Sequence, residues 1–466
     1  RKPTPSRRER SLGGDRGAPA NVDTAERVDA PTEHTAHARG QRRRSFVIDD
    51  ADSLTEGGAV AKTRDNVAAL TLFKQLQVEN RPATAKEQAI LARYIGWGHT
   101  NLAKIVDPRS PQLEGAQKEA RQQLESLLTP EEFASLGEST VNAHYTFNTI
   151  PRTMWAIAQR LGFRGGSILE PAIGTGHFFG TMPEAIRAAR RTSLFGVEKE
   201  PIAAGIASQL YQDATVQHSP VEQATLPDNW FDLVISNVPF GKIPVFDPAF
   251  TSQGKRFLTS RIHNYYFGKA LDVVRPGGLV MFVTSRYTMD EQSDAVRNYI
   301  RERADLVGAF RLPDTAFKQT AGTEVITDVL VLRRRNPGDR PRADEAQWMN
   351  SVEREDLGGR WERGGQQFIH TNEYYQTHPD HVLGTEDRSG SLYGGGGYNV
   401  TGDLTTKQLD ALVHRFPEKV YTAARTPKRK IAKPEQQDVK QGSYVLEKGT
   451  VYHYDKGTLV PADLKG

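Results

Sequence analysis

Two short stretches carry residue types that could do chemistry together. The first is Glu170-Pro171-Ala172-Ile173-Gly174-Thr175-Gly176-His177-Phe178, which follows the apolar run Ser167-Ile168-Leu169. Such a run predicts a strand that delivers Glu170 to the carboxyl edge of a sheet, where open α/β sheets bind ligands. Gly174 and Gly176 permit a tight turn and let the backbone come close to a ligand. Glu198 ends the next apolar run, Ser193-Leu194-Phe195-Gly196-Val197, and a carboxylate there can accept both hydroxyls of a ribose. The loop lacks the Lys and Ser/Thr of a phosphate-binding loop and the third glycine of a dinucleotide fingerprint. An acid at the head of the loop repels pyrophosphate but suits an amine and a sulfonium. That charge favours S-adenosylmethionine over NAD.

The second stretch is Asn237-Val238-Pro239-Phe240, just past the strand-like run Phe231-Asp232-Leu233-Val234-Ile235-Ser236. Methylating an exocyclic amine requires acceptors that orient its N–H bonds and disperse the positive charge that builds on nitrogen. The Asn237 side-chain carbonyl can accept one N–H and the Val238 main-chain carbonyl the other. Pro239 fixes the turn, and Phe240 offers a face on which a flipped base can stack. Preorganised acceptors supply most of the help, and a base is not needed at the start.

These groups need a sheet to position them. The apolar runs at 167–169, 193–197, 231–235, 279–283, 305–312 and 328–332 alternate with helical segments. That alternation predicts a doubly wound, mostly parallel sheet whose closing pair supplies an antiparallel edge. Before it, residues 46–140 turn helical: Val67, Leu70, Leu72, Phe73 and Leu76 recur at helical spacing. Thr84 with Glu87 three residues on forms a capping box ahead of a second helix, which Gly96-Trp97-Gly98 stops, and a third helix covers residues 114–128. Residues 1–45 form a basic tail without apolar periodicity, ending in Arg42-Arg43-Arg44, that serves as phosphate contact or solvated linker. Residues 141–336 hold the sheet. Residues 337–466 are polar and irregular, with Gly394 to Gly397 as a joint, a helix near Thr405 to Phe416 and an alternating stretch at 443–460. His370, His378 and His381 fit no ligand spacing and are expected at the surface, without a metal.

With 466 residues the chain suits two or three domains, and a sequence that opens on Arg1 and stops in mid-pattern is expected to be a fragment of a longer protein. Zero cysteines exclude disulfides, thiolate metal sites and a cysteine nucleophile. A net charge of +4 and a pI near 9.0 are compatible with nucleic acid as partner. Mean hydropathy is −0.58, and neither a spanning run nor a signal peptide is present, so no membrane partner and a cytoplasmic site in a bacterial host or phage setting are expected.

Tyr145-Thr146, the Glu170–Phe178 loop, Glu198 and Asn237-Val238-Pro239-Phe240, in that order, resemble the N-6 adenine DNA methylases over residues 145–335. The resemblance implies an α/β, Rossmann-like S-adenosylmethionine-dependent methyltransferase sheet with an N-terminal helical extension and an irregular C-terminal region. It implies that Tyr145 and Thr146 border the cofactor, that Glu170, Ala172, Gly174 and Gly176 contact its amino-acid part, and that Glu198 holds its ribose. Glu222 stands where the family places an acid near the cofactor adenine. Asn237, Val238, Pro239 and Phe240 would hold the target adenine, with Val238 where the family has Pro. The 241–263 loop, with Lys242, Lys255, Arg256 and Arg261, would face DNA. Residues 57–97 and Gly322-Thr323-Glu324-Val325-Ile326-Thr327-Asp328 further resemble the front of methylase–helicase fusions of phages, plasmids and integrative elements, similar to defence-against-restriction proteins. A helicase would then follow Gly466, since no Walker motif occurs here. Two other activities share these motifs: a glutamine side-chain methyltransferase and a DNA- or partner-binding module that keeps the fold without turnover.

Overall fold

The computed structural model describes residues 45–49, 57–110, 113–140, 149–317, 326–341, 347–362, 365–390, 397–422 and the strand segments 444–447, 450–455 and 458–461. Residues 1–44 of the basic tail, Tyr145, Thr146, Gly322 to Val325 and Gly394 to Gly396 lie outside these.

The helical segment comprises α1 (Ala59–Glu79), α2 (Ala85–Leu91), α3 (Thr100–Val106), α4 (Gly115–Leu127), α5 (Pro130–Ser139) and α6 (Thr149–Arg160). The capping box at α2 forms as the sequence predicts: Thr84 accepts from the Glu87 amide and the Glu87 carboxylate accepts from the Thr84 amide. The helix stops at Leu91, earlier than Gly96. A second box, Thr129 with Glu132, starts α5 with Pro130 at its first position.

Seven strands follow: β1 (Ser167–Glu170), β2 (Ser193–Glu198), β3 (Thr215–His218), β4 (Phe231–Asn237), β5 (Val274–Ser285), β6 (Ala304–Leu312) and β7 (Thr327–Arg334). Their order is β3-β2-β1-β4-β5-β7-β6, with β7 antiparallel to both neighbours and the remaining pairs parallel. The α/β class and the antiparallel closing pair are as expected. The added strand is β3, whose Thr215-Val216-Gln217-His218 lacks an apolar run because it forms the exposed edge.

Side chains alternate across the sheet and build a core on each face. Ile168, Leu233, Ile235, Met281 and Val283 pack under α1, α6 and their neighbours. Leu169, Val234, Val280 and Phe282 pack against the helix Ile262–Val273. The helical segment is thus a structural cover for one face. Phe73 of α1 packs against Gly205 in the helix Pro201–Leu210, where an added Cβ would sit 2.2 Å from Phe73 Cζ. Gly205→Ala is therefore expected to lower stability by roughly 1–3 kcal/mol, since overpacking outweighs the helical gain of alanine. Urea unfolding checks it, and a variant as stable as the parent would contradict the interlock.

The segment after 337 is more integrated than a polar linker. The helix Thr406–Arg415, started by a Thr405–Gln408 capping box, packs on α6, and Arg160 Nε donates to the Phe416 carbonyl at 2.5 Å. Arg311 of β6 joins buried Asp328 at 2.7 Å and Asp290 at 2.8 Å. Removing one member of that pairing would strand a buried charge. The surface expectation for the histidines fails at His381, which is buried. Its Nδ1 meets the Ala309 carbonyl at 2.7 Å, and His378 stacks on Tyr374. Sheet contacts, which local polarity does not encode, draw them in. Among the described residues no group of side chains is arranged to hold a metal ion, and no helix is long and apolar enough to cross a membrane.

Candidate cofactor and base cavity

The carboxyl ends of β1, β2 and β4 open into one cavity of about 330 Å³. Parallel strands bring their ends to one edge, so residues far apart in sequence meet there. Glu170, Ala172, Gly174, Glu198, Glu222, Asn237, Val238 and Pro239 all stand on its wall.

The loop after β1 takes its shape from backbone bonds. The Gly176 amide donates to the Ile173 carbonyl at 2.7 Å, and Gly174 and Gly176 sit at φ +53° and +84°, conformations that favour glycine. Gly176 turns away from the cavity wall: a Cβ there would lie 2.2 Å from the Tyr211 ring. Its contribution is to let α7 (His177–Gly180) close on Tyr211. Gly174 stays on the wall, and its amide donates to Glu198 Oε2 at 2.8 Å. Glu198 Oε1 accepts from the Glu200 amide at 2.9 Å, which fixes the carboxylate across the cavity from β1.

Five glutamates line this cavity, and burial raises three of them, Glu170, Glu198 and Glu200. Glu170 is buried, its Oε2 has no hydrogen-bond partner, and burial together with the Glu198 charge pushes it well above the usual carboxylate range. Burial also raises Glu198. Glu200 caps the helix Pro201–Leu210, accepting from the Ile202 and Ala203 amides, yet burial, its largest influence, pushes it up to about 7. A site that confines carboxylates this way is complementary to a cation. The buried, unpartnered Glu170 oxygen fits the ammonium of an amino-acid tail, and Glu198 fits a ribose.

A carboxyl raised in the folded state contributes stability that is complete below its unfolded value, 4.5, and disappears as pH rises through the folded value, about 7 for Glu200. The empty protein is expected to be more heat-resistant near pH 5 than near pH 8 on this account. Glu200→Gln should narrow that difference in thermal scans, and an unchanged difference would contradict the assignment.

The second stretch sits at the end of β4. Asn237 pairs with Val283 of β5, and the Val238 amide donates to the Val283 carbonyl at 3.1 Å. A proline at 238 could not make that bond, so Val238 ties the turn to the sheet. Pro239 is on the cavity wall; Phe240 is half-buried and off it. Of the four cations in the loop that follows, two are neutralised: Lys255 by Asp272 at 2.7 Å and Arg261 by Glu291 at 2.6 Å. Lys242 and Arg256 are exposed.

Several wall residues escape a motif-based reading. Tyr94, Gly96, Ser135 and Glu138 come from the helical segment, and Tyr266 from the helix Ile262–Val273. Glu200 alone had a local signal, an acid directly before Pro201, the pattern of a helix start.

Residues 125–356 match the model of the family described as N-6 DNA Methylase. No curated protein matches the sequence. Among solved structures, a Listeria monocytogenes protein described as a class I S-adenosylmethionine-dependent methyltransferase is 19% identical at a TM-score of 0.38, covering 61% of this chain and 91% of that one. The type I restriction-modification methyltransferase subunit of Streptococcus thermophilus is 14% identical at a TM-score of 0.37, covering 59% and 79%.

Proposed function

We propose that the domain matched as an N-6 DNA methylase transfers a methyl group from S-adenosylmethionine to the N6 amine of adenine in DNA. The observation that carries this reading is the single cavity that unites Glu170, Glu198 and Asn237. The family match over residues 125–356 supports it independently.

S-adenosylmethionine, when bound, supplies a methyl group activated by a sulfonium. Glu170, Ala172 and Gly174 hold the amino-acid end, with the Glu170 carboxylate opposite the ammonium. Glu198 accepts from the ribose hydroxyls while Gly174 and Glu200 keep it in place. Glu222 and Val221, on the same wall, would border the purine. Tyr145 and Thr146 complete the cofactor end in this proposal. Asn237 and the Val238 carbonyl accept the two N–H bonds of the target amine and disperse charge as nitrogen attacks. Pro239 sets their direction, and the spare proton leaves to water after transfer. The whole protein is further proposed to join this domain to a helicase in a mobile-element protein linked to anti-restriction or DNA transfer, on the resemblance of residues 57–97 and 322–328.

Incubation with radiolabelled S-adenosylmethionine and bacterial DNA grown free of adenine methylation tests the reading. Label in DNA, recovered as N6-methyladenine, supports it. Label in protein points to a glutamine side chain instead, and cofactor binding with no transfer points to a binding module.

A further inference from the structure

Phe246 is 85% exposed, whereas Phe257, the other aromatic among the exposed large apolar residues, is 41% exposed and set edge-on to Tyr299. Water around a large ring is costly, so such exposure in a fixed position signals a partner. The position is fixed. On one side the Val245 amide donates to the Thr259 carbonyl at 2.9 Å. On the other, buried Asp247 accepts from the Ala249 amide at 2.8 Å and from the Tyr265 hydroxyl at 2.7 Å. Pro244 and Pro248 restrict the chain on both flanks. Further back, the Gly241 amide donates to Nδ1 of His263, buried and held neutral because burial pushes it down to about 3.

Phe246 also stands on the wall of the cavity that contains Asn237, where Phe240 does not. Lys242 and Arg256, in the same loop, are exposed and make no ion pair among the described residues, so they suit a phosphate backbone. An exposed ring on the cavity wall and two exposed cations of the same loop, unpaired among the described residues, fit a nucleic-acid strand offering one unstacked base.

We propose that Phe246 is the residue on which the target adenine stacks as it enters the cavity, holding the extruded base before Asn237. This rests on the adenine-methylating reading above. The backbone that carries the ring is held on both sides, so stacking need order only the ring's own side-chain torsions. It acts with Asn237: the ring holds the plane of the base, and the amide orients its amine.

The test compares Phe246→Ala, Phe246→Tyr and Phe246→Leu in the full chain, and high exposure makes all three safe for folding. Phe246→Ala is expected to lower kcat/KM for adenine-methylation-free DNA by about tenfold or more, with S-adenosylmethionine affinity by calorimetry unchanged within about twofold. Tyr should restore the rate and Leu should not, since Leu keeps apolar area but has no π face. An alanine variant equal to the parent, or a leucine rescue as complete as that by tyrosine, would overturn the proposal. If the parent binds the cofactor but labels no DNA, the methylation reading fails instead. Fluorescence anisotropy with oligo(dA) then decides on Phe246, and equal binding by the parent and Phe246→Ala would overturn the stacking role.

Discussion

Asn237→Ala is expected to reduce methyl transfer to DNA by about 10²–10³-fold, the usual cost of deleting one preorganised polar group that meets charge in the transition state. Asn237 ends β4 in register with Val283, and the next amide is bonded to the Val283 carbonyl. The strand end is therefore braced without the Asn side chain, and the variant should keep its fold and melting temperature. Cofactor affinity should stay within about threefold, because Glu170 and Glu198 lie on other strands. The discriminating result is the split itself: a large fall in kcat with cofactor binding intact. A fall in cofactor affinity parallel to the fall in rate would mean that Asn237 shapes the cofactor end of the cavity instead. Asn237→Asp should not rescue, since it adds a further negative charge to a cavity already crowded with carboxylates.

Glu170→Gln should have the opposite signature. The Glu170 carboxyl is buried with one oxygen unpartnered and is raised by burial and by Glu198. In the empty protein it opposes folding at neutral pH, so a neutral amide of the same shape should raise thermal stability. The same change removes the charge that meets the cofactor's ammonium and should weaken S-adenosylmethionine by about tenfold to a hundredfold, as expected for a buried charge-assisted hydrogen bond. Higher stability with lower affinity is the mark of a functional site that stores strain. Thermal unfolding and calorimetry on one preparation measure both. A Gln variant that is less stable than the parent would show that the carboxylate is a structural element, and unchanged affinity would remove it from the cofactor site.

The sheet was legible because β1, β4, β5 and β7 are buried on both faces, and β2 in large part, and so read as continuous apolar runs. Edge strand β3 was not, since exposure leaves Thr215 to His218 without a pattern. The site motifs were legible for a related reason: glycines at positive φ and acids at strand ends are local requirements of a tight turn and a strand edge. Tyr94, Ser135, Tyr266 and Phe246 were not, because they meet the cavity through tertiary packing that no local spacing encodes. The same limit explains His381, whose polarity suggested the surface while a carbonyl on β6 holds it inside. Among the loop cations, sequence gives charge but not pairing, and Asp272 and Glu291 take up two of the four.

Calorimetric titration of S-adenosylmethionine into the purified chain, with Glu198→Ala as the control, tests the cofactor site at the strand ends. Micromolar binding is expected, and the Glu198 variant should lose it while remaining folded by circular dichroism. Absence of heat at two temperatures with the folded parent protein, or equal binding by the variant, would contradict a cofactor site at the ends of β1 and β2.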